Sequence, residues 1–266
     1  MIEINKIYNE NCLETMLRMP DDFIDLTVTS PPYDNLRDYN GYTFDFEPIA
    51  KQLFRVTKPG GVVVWIVNDA TINGSETGTS FKQALFFKEC GFNLHDTMIW
   101  NKGGFTAVGA LKTRYGQVFE YMFVFTKGTI KTFNPFKDRL NKKNTGFFLK
   151  NKRDKNGEII EVGKTAKRKK YGQRFNIWTL SNTDKNVHPA IFPEKLANDH
   201  IISWSNENDL IFDPFTGSGT TAKMALINER NFIGSEISAE YCEIANKRIE
   251  ETKKIISLEK TQMKLF

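Results

Sequence analysis

Long apolar runs are missing from this 266-residue chain. No stretch approaches the ~20 consecutive apolar residues that a membrane-spanning helix needs, which excludes that class. The opening MIEINKIYNENCLETM carries acidic residues and no apolar core, so no secretory signal is expected there. Cysteine is scarce: Cys12, Cys90 and Cys242 are scattered, follow no metal-ligand spacing and cannot all pair with one another. A disulfide-stapled scaffold and a zinc ribbon are thereby excluded, and a reducing cytoplasm is the expected location. Histidine is as rare. His95, His188 and His200 lie far apart with no ligand pattern, so no metal is expected.

What is present is an ordinary globular composition, 40% hydrophobic and 26% charged. The length suffices for one large domain, or one domain with a modest insertion. The net charge of +5 conceals an asymmetry. Between Lys127 and Arg174 there are 16 Lys and Arg against 4 Asp and Glu, whereas the rest of the chain holds 21 basic and 28 acidic residues. A cationic segment on an acidic body fits either a solvated charge run or a nucleic-acid contact.

Strand and helix patterns alternate on both sides of that segment. Ile24–Thr29 is a β-branched run that stops at Pro31-Pro32, and Val62–Val67 is a continuous apolar run of buried-strand type. Helical spacing is expected over Phe46–Thr57, with Pro59-Gly60-Gly61 as its stop, and over Phe81–Cys90. Leu94–Trp100 and Tyr121–Thr126 read as strands. After Gly128 the periodicity weakens, and an insertion partly held in loops is expected to about Phe175. The alternation then resumes with helices at Pro193–Trp204, Thr220–Asn228 and Ala239 to about Lys254, and strands at Leu210–Phe212 and Asn231–Glu236. The expected fold is α/β: a mostly parallel sheet with helices on both faces, interrupted by an insertion. Its parts are 1–126, the basic insertion 127–186, and 187–266.

Leu210-Ile211-Phe212-Asp213-Pro214-Phe215-Thr216-Gly217-Ser218-Gly219-Thr220-Thr221 reads as a strand, a glycine turn and a helix start. Such a turn lets a ligand approach bare backbone at the carboxyl end of a strand. Glu236 ends the next strand, where an acid grips ribose hydroxyls in dinucleotide folds. A P-loop needs a lysine after its glycines, and none follows here. A dinucleotide fingerprint wants a third glycine where Ala222 stands. A ligand with ribose and adenine but no pyrophosphate fits, as does a ligand-free structural turn.

Thr29-Ser30-Pro31-Pro32-Tyr33 follows the first clear strand. The two prolines remove N–H donors and stiffen the loop, leaving the carbonyls of Ser30 and Pro31 as acceptors. Ser30 Oγ and the Pro31 carbonyl suit the two hydrogens of a base amino group, a grip that favours a pyramidal nitrogen with a localised lone pair. Tyr33 offers a stacking face for an extruded base, worth ~1–3 kcal/mol. A plain loop is the alternative.

In their order, these motifs resemble the β-group of DNA amino-methyltransferases, in which the catalytic half precedes the cofactor half. Leu53–Gly61, His188–Pro193 with Leu196, and Ile233–Glu236 through Tyr241 extend the similarity along nearly the whole chain. The resemblance implies a Rossmann-like fold, S-adenosylmethionine as cofactor and double-stranded DNA as partner. It also admits a cognate restriction endonuclease and a homodimer. Ser30, Pro31, Pro32 and Tyr33 correspond to the catalytic loop. Asp213, Phe215, Gly217, Gly219 and Thr220 correspond to the cofactor turn, and Glu236 to the ribose acid. Asn11 stands where the family carries an adenine-binding Asp. The insertion would be the target-recognition region, with Lys167, Arg168, Lys169, Lys170 and Arg174 as DNA contacts.

Ser30 inclines the target toward N4 of cytosine, with N6 of adenine as alternative. C5 methylation needs a Pro-Cys nucleophile, and none of the three cysteines follows a proline. Methylation of RNA or of protein glutamine, and a DNA-binding module without turnover, are the other readings open at this point.

Overall fold

The computed structural model describes residues 2–32, 44–104, 113–142, 146–181 and 192–263, without the side chains of 162–164. Its contacts divide the chain into two compact units, Met1–Asn134 with Asn176–Phe266, and Pro135–Phe175. The larger unit opens with β1 (Lys6–Tyr8), α1 (Cys12–Leu17), β2 (Ile24–Thr29) and α2 (Phe46–Val56). There follow β3 (Thr57–Val67), a small hairpin of β4 (Thr71–Ile72) and β5 (Ser75–Glu76), α3 (Thr79–Glu89), β6 (Asn93–Asn101) and β7 (Phe119–Thr126). The smaller unit carries β8 (Arg139–Leu140), β9 (Phe147–Arg153), β10 (Ile159–Lys167) and β11 (Tyr171–Gly172). The chain then re-enters the larger unit with β12 (Ile177–Thr179), α4 (Glu194–Trp204) and β13 (Leu210–Asp213). It closes with α5 (Thr220–Ile227), β14 (Asn231–Ser235) and α6 (Ala239–Met263).

Eight strands form one sheet in the order β1-β14-β13-β2-β3-β7-β6-β12. Every ladder in it is parallel except the two that β7 makes, with β3 and with β6. This is the expected Rossmann-like α/β fold. The continuous apolar run of β3 shows why both faces must be covered. Val62, Val64 and Ile66 pack on one side with Leu196, Ile201, Ala225 and Ala245 of α4, α5 and α6. Val63, Trp65 and Val67 pack on the other with Met16, Leu53 and Phe87 of α1, α2 and α3. Trp65, Phe87 and Phe212 are fully buried, each contributing about 1.5–3 kcal/mol or more by burial. No helix among the described residues is long and apolar enough to cross a membrane.

Two elements depart from the sequence reading. Strand β3 starts at Thr57, before the diglycine that reads as a helix stop. The helix ends instead at Val56, where the Thr57 hydroxyl donates to the Leu53 carbonyl at 2.6 Å. Gly60 takes φ +83°, and a Cβ on Gly61 would lie 2.9 Å from the Asp25 carbonyl. The glycines thus form an irregularity inside the strand pairing, where the register with β2 shifts. The second departure is β12. It falls within 127–186 by composition but pairs in parallel with β6, Ile177 opposite Ile99. Lys127 likewise belongs to the larger unit, since its Nζ donates to Asp22 at 2.7 Å. The compact insertion is therefore Pro135–Phe175.

Within that unit the expected loops are two antiparallel pairs, β9 with β10 and β8 with β11. Asp154 closes the β9–β10 turn by accepting from the N–H groups of Asn156 and Glu158, and Gly157 takes φ +85°.

Candidate active site

Strands β2 and β13 are neighbours, Leu26 opposite Ile211 and Thr27 opposite Phe212, and they run the same way. Their carboxyl ends therefore deliver the Ser-Pro-Pro loop and the glycine turn to one edge of the sheet, where ligands of open α/β folds bind. A hydrogen bond joins the two motifs directly: Thr29 Oγ1 donates to Asp213 Oδ1 at 2.6 Å. Ser30 and Pro32 are half-buried and Pro31 is buried. Tyr33 lies outside the described residues, as do Phe105, beyond the glycines after β6, and His188–Ile191.

Asp213 also accepts from the Phe215 N–H at 3.1 Å, which turns the chain sharply after the strand. Burial dominates its environment and pushes its carboxyl up to about 6. Phe215 packs edge-on between Phe44 and Trp65. Next, Thr216 donates its N–H to the Ser235 carbonyl and its hydroxyl to the Asp213 carbonyl, at 2.9 and 3.0 Å. Gly217 adopts φ +51° and has no neighbour within 4 Å of where a Cβ would stand, so it borders open space. Gly219 adopts φ +83°, and a Cβ there would come within 3.1 Å of the Ala245 side chain. One glycine leaves room for a ligand; the other lets α6 approach.

Glu236 faces the same turn. Its Oε2 accepts from the Gly217 N–H and its Oε1 from the Ser238 N–H, both at 2.8 Å. Burial raises its carboxyl above the ordinary range. With Ile237 as a further backbone donor, the carboxylate still keeps acceptor capacity for a hydroxyl. An acceptor pair fixed beside bare backbone and open space fits the ribose of S-adenosylmethionine.

Asn11 caps α1 at the carboxyl end of β1, its side chain accepting from the Leu13 N–H at 2.9 Å. Thr220, part of the cofactor turn by resemblance, opens α5. It is buried, and its hydroxyl accepts from Arg248 at 3.2 Å, which ties it to α6. Arg248 was not legible as a site residue. It also donates to the carbonyl and hydroxyl of Ser218 at 3.1 and 3.2 Å, and it pairs with Glu194 at the start of α4. Lys223 reaches the same carboxylate at 2.6 Å. Asn9 is a second addition: its amide donates to the carbonyls of Glu236 and Ile237, at 2.8 and 3.1 Å. Neither residue sits in a recognisable motif; only the packing of α6 and β1 reveals them.

Other polar side chains belong to the scaffold. Asp69 accepts from both the N–H and the hydroxyl of Ser80, capping α3. Lys102 pairs with Glu120 at 2.5 Å. His200 is buried between Trp178 and Trp204. In the smaller unit Lys167, Lys169 and Lys170 are exposed and Arg168 lies 5.3 Å from the Phe148 ring. Arg174 is committed internally, to the Asp138 carboxylate and over the Phe136 ring at 4.3 Å.

The DNA methylase family model for N6 and N4 enzymes matches residues 24–247. The orphan methyltransferase M.BamHII of Bacillus amyloliquefaciens is 58% identical over 239 residues, covering 86% of this chain and 89% of that one. The type II methyltransferase M.BglII of Bacillus subtilis is 30% identical over 262 residues, covering 91% and 68%. In fold, the chain resembles the cytosine-N4-specific PvuII DNA methyltransferase, with TM-score 0.67, 20% identity and coverage of 94% and 90%. It also resembles the M1.HpyAVI–SAM complex, with TM-score 0.60, 24% identity and coverage of 91% and 98%. The chain thus belongs to the DNA amino-methyltransferases, the S-adenosylmethionine-dependent enzymes that methylate N4 of cytosine or N6 of adenine.

Proposed function

We propose that this enzyme methylates N4 of cytosine in a base extruded from duplex DNA, using the loop Ser30-Pro31-Pro32-Tyr33. The observation that carries the reading is the Thr29–Asp213 hydrogen bond, which holds the residue before Ser30 against the start of the glycine turn. S-adenosylmethionine supplies an electrophilic methyl group when bound. Glu236 would accept from its ribose hydroxyls, the backbone at Gly217 and Gly219 would lie along it, and Phe215 would wall the pocket. Asn11 Oδ1, already accepting one N–H, has a second lone pair for the adenine amino group. Ser30 Oγ and the Pro31 carbonyl would accept the two amino hydrogens of the base and localise the nitrogen lone pair, while Tyr33 stacks on the ring. No nearby base is needed: the nitrogen becomes acidic once methylated and releases its proton to water. Ser30 favours cytosine over adenine because the adenine enzymes of this group commonly carry Asp at that place. The Pro135–Phe175 unit is read as the target-recognition region, with Lys167–Lys170 on phosphates.

Nucleoside mass spectrometry of duplex DNA treated with the purified enzyme tests the assignment. N4-methylcytosine is expected, and N6-methyladenine would reverse the choice of base. Pro31→Ala and Tyr33→Ala are expected to lower turnover by about 100-fold or more through misplacement of the amino group, with cofactor binding intact. Full activity in both variants would remove the loop from the mechanism.

A further inference from the structure

The β9–β10 hairpin is exposed on both faces. Every residue of β9 is exposed, and so are Ile159 and Ile160. Its register sorts the side chains. Phe147 stands opposite Lys167, Leu149 opposite Thr165, Asn151 opposite Glu161 and Arg153 opposite Ile159. Alternation along the strands puts these eight on one face. The other face holds Phe148, Lys150 and Lys152, with Ala166 and Ile160 across the ladder.

A two-stranded ribbon with no buried face is marginal in water. Phe147 and Leu149 are 71% and 53% exposed, and Ile159, beyond the Asn151–Glu161 pair, is 61% exposed, apolar surface that solvent alone does not explain. Between Phe147 and Lys170 there are nine Lys and Arg against three Asp and Glu, one of which, Asp154, is occupied by the turn. That surplus disfavours pairing of this hairpin with the same hairpin of a second copy and attracts a polyanion. A two-stranded ribbon also fits the DNA major groove, ~12 Å wide.

We propose, building on the DNA-methylating role above, that this ribbon enters the major groove with a division between its faces. Phe147, Leu149 and Asn151 read base edges, joined by the Arg153 guanidinium through the donors left after Nη1 binds the Gly157 carbonyl at 2.8 Å. Lys150 and Lys152, on long stems that reach around the ribbon, hold phosphates together with Lys169 and Lys170. The chemistry matches: an Asn amide is bidentate to adenine, an Arg guanidinium to guanine, and apolar groups contact the thymine methyl. Lysine ammonium groups are point charges that position without reading sequence.

The test compares the full-length wild type with Asn151→Ala, Leu149→Ala and the double variant Lys150→Ala/Lys152→Ala. Substrates are the duplex found by sequencing methylated DNA and a set with single base pairs exchanged. Circular dichroism and S-adenosylmethionine affinity check that each variant is folded. Asn151→Ala and Leu149→Ala are each expected to lose about tenfold on the cognate duplex and to discriminate less at one position. The double lysine variant is expected to weaken on all duplexes alike, with the slope of log affinity against log salt reduced by about 2. Uniform losses in Asn151→Ala and Leu149→Ala would overturn the reading face. Unchanged DNA binding in all three variants would overturn the proposal and assign the apolar surface to a protein partner. A wild type that methylates no duplex would instead overturn the underlying enzymatic role, a result the variants cannot mimic.

Discussion

Glu236 accepts the N–H groups of Gly217 and Ser238 on its two carboxylate oxygens, so the side chain is fixed before any ligand arrives. Glu236→Gln turns one of those acceptors into a donor facing an N–H. A rise of about tenfold or more in the S-adenosylmethionine dissociation constant is expected, measurable by calorimetry. Asp213 is the other informative acid. Its carboxyl is raised by burial from 3.8 to about 6, so the native state binds more protons than the unfolded chain between those values. Stability from this group is present below pH 4 and lost as pH rises through 6, a difference of about 3 kcal/mol. Urea unfolding between pH 4 and pH 7 is therefore expected to show wild type losing ground to Asp213→Asn, by up to that amount. No relative change across that interval would show that the carboxylate is stabilised as much as it is desolvated. Both acids were visible as types in a motif. Their hydrogen bonds were not, because each donor's placement depends on how the turn folds.

The elements around the turn are held from behind by Arg248 of α6. Its guanidinium links Ser218 and Thr220 to Glu194 on α4, three elements remote in sequence. Arg248→Met is expected to weaken cofactor binding about tenfold while turnover at saturating cofactor changes little, because the glycine turn loses support and the Ser-Pro-Pro loop does not. A fall in turnover alone would contradict this role. Gly219→Ala is expected to cost about 1–3 kcal/mol, since φ +83° is unfavourable for alanine and Ala245 stands 3.1 Å from the new Cβ; thermal unfolding measures it. The main strands were readable because burial on both faces makes their central runs apolar, as in Val62–Val67 of β3 and Tyr121–Phe125 of β7. The β9–β10 hairpin was not: a ribbon exposed on both faces has no reason to alternate, although its Asn156-Gly157 turn was a usable signal.

Across the whole molecule, charge is segregated rather than balanced. Binding to duplex DNA is expected to weaken steeply between low and moderate salt, as several Lys and Arg displace counterions. A dissociation constant unchanged over that range would separate the basic unit from DNA contact. Composition placed the limits of this unit at 127 and 186, yet contacts place them at 135 and 175. Charge runs continue across a boundary that only strand pairing defines. β12 is the case in point, three residues whose membership in the sheet rests on their register with β6.

The chain's own order of residues determined the fold class, the two motifs and the chemistry each offers, because local patterning and residue type are properties of the linear text. Only the tertiary structure decided that β2 and β13 lie side by side, that Thr29 reaches Asp213, and that the Thr220 hydroxyl accepts from Arg248. These are contacts between residues far apart along the chain. Their existence depends on sheet order and helix packing, which are set by the burial of many side chains at once.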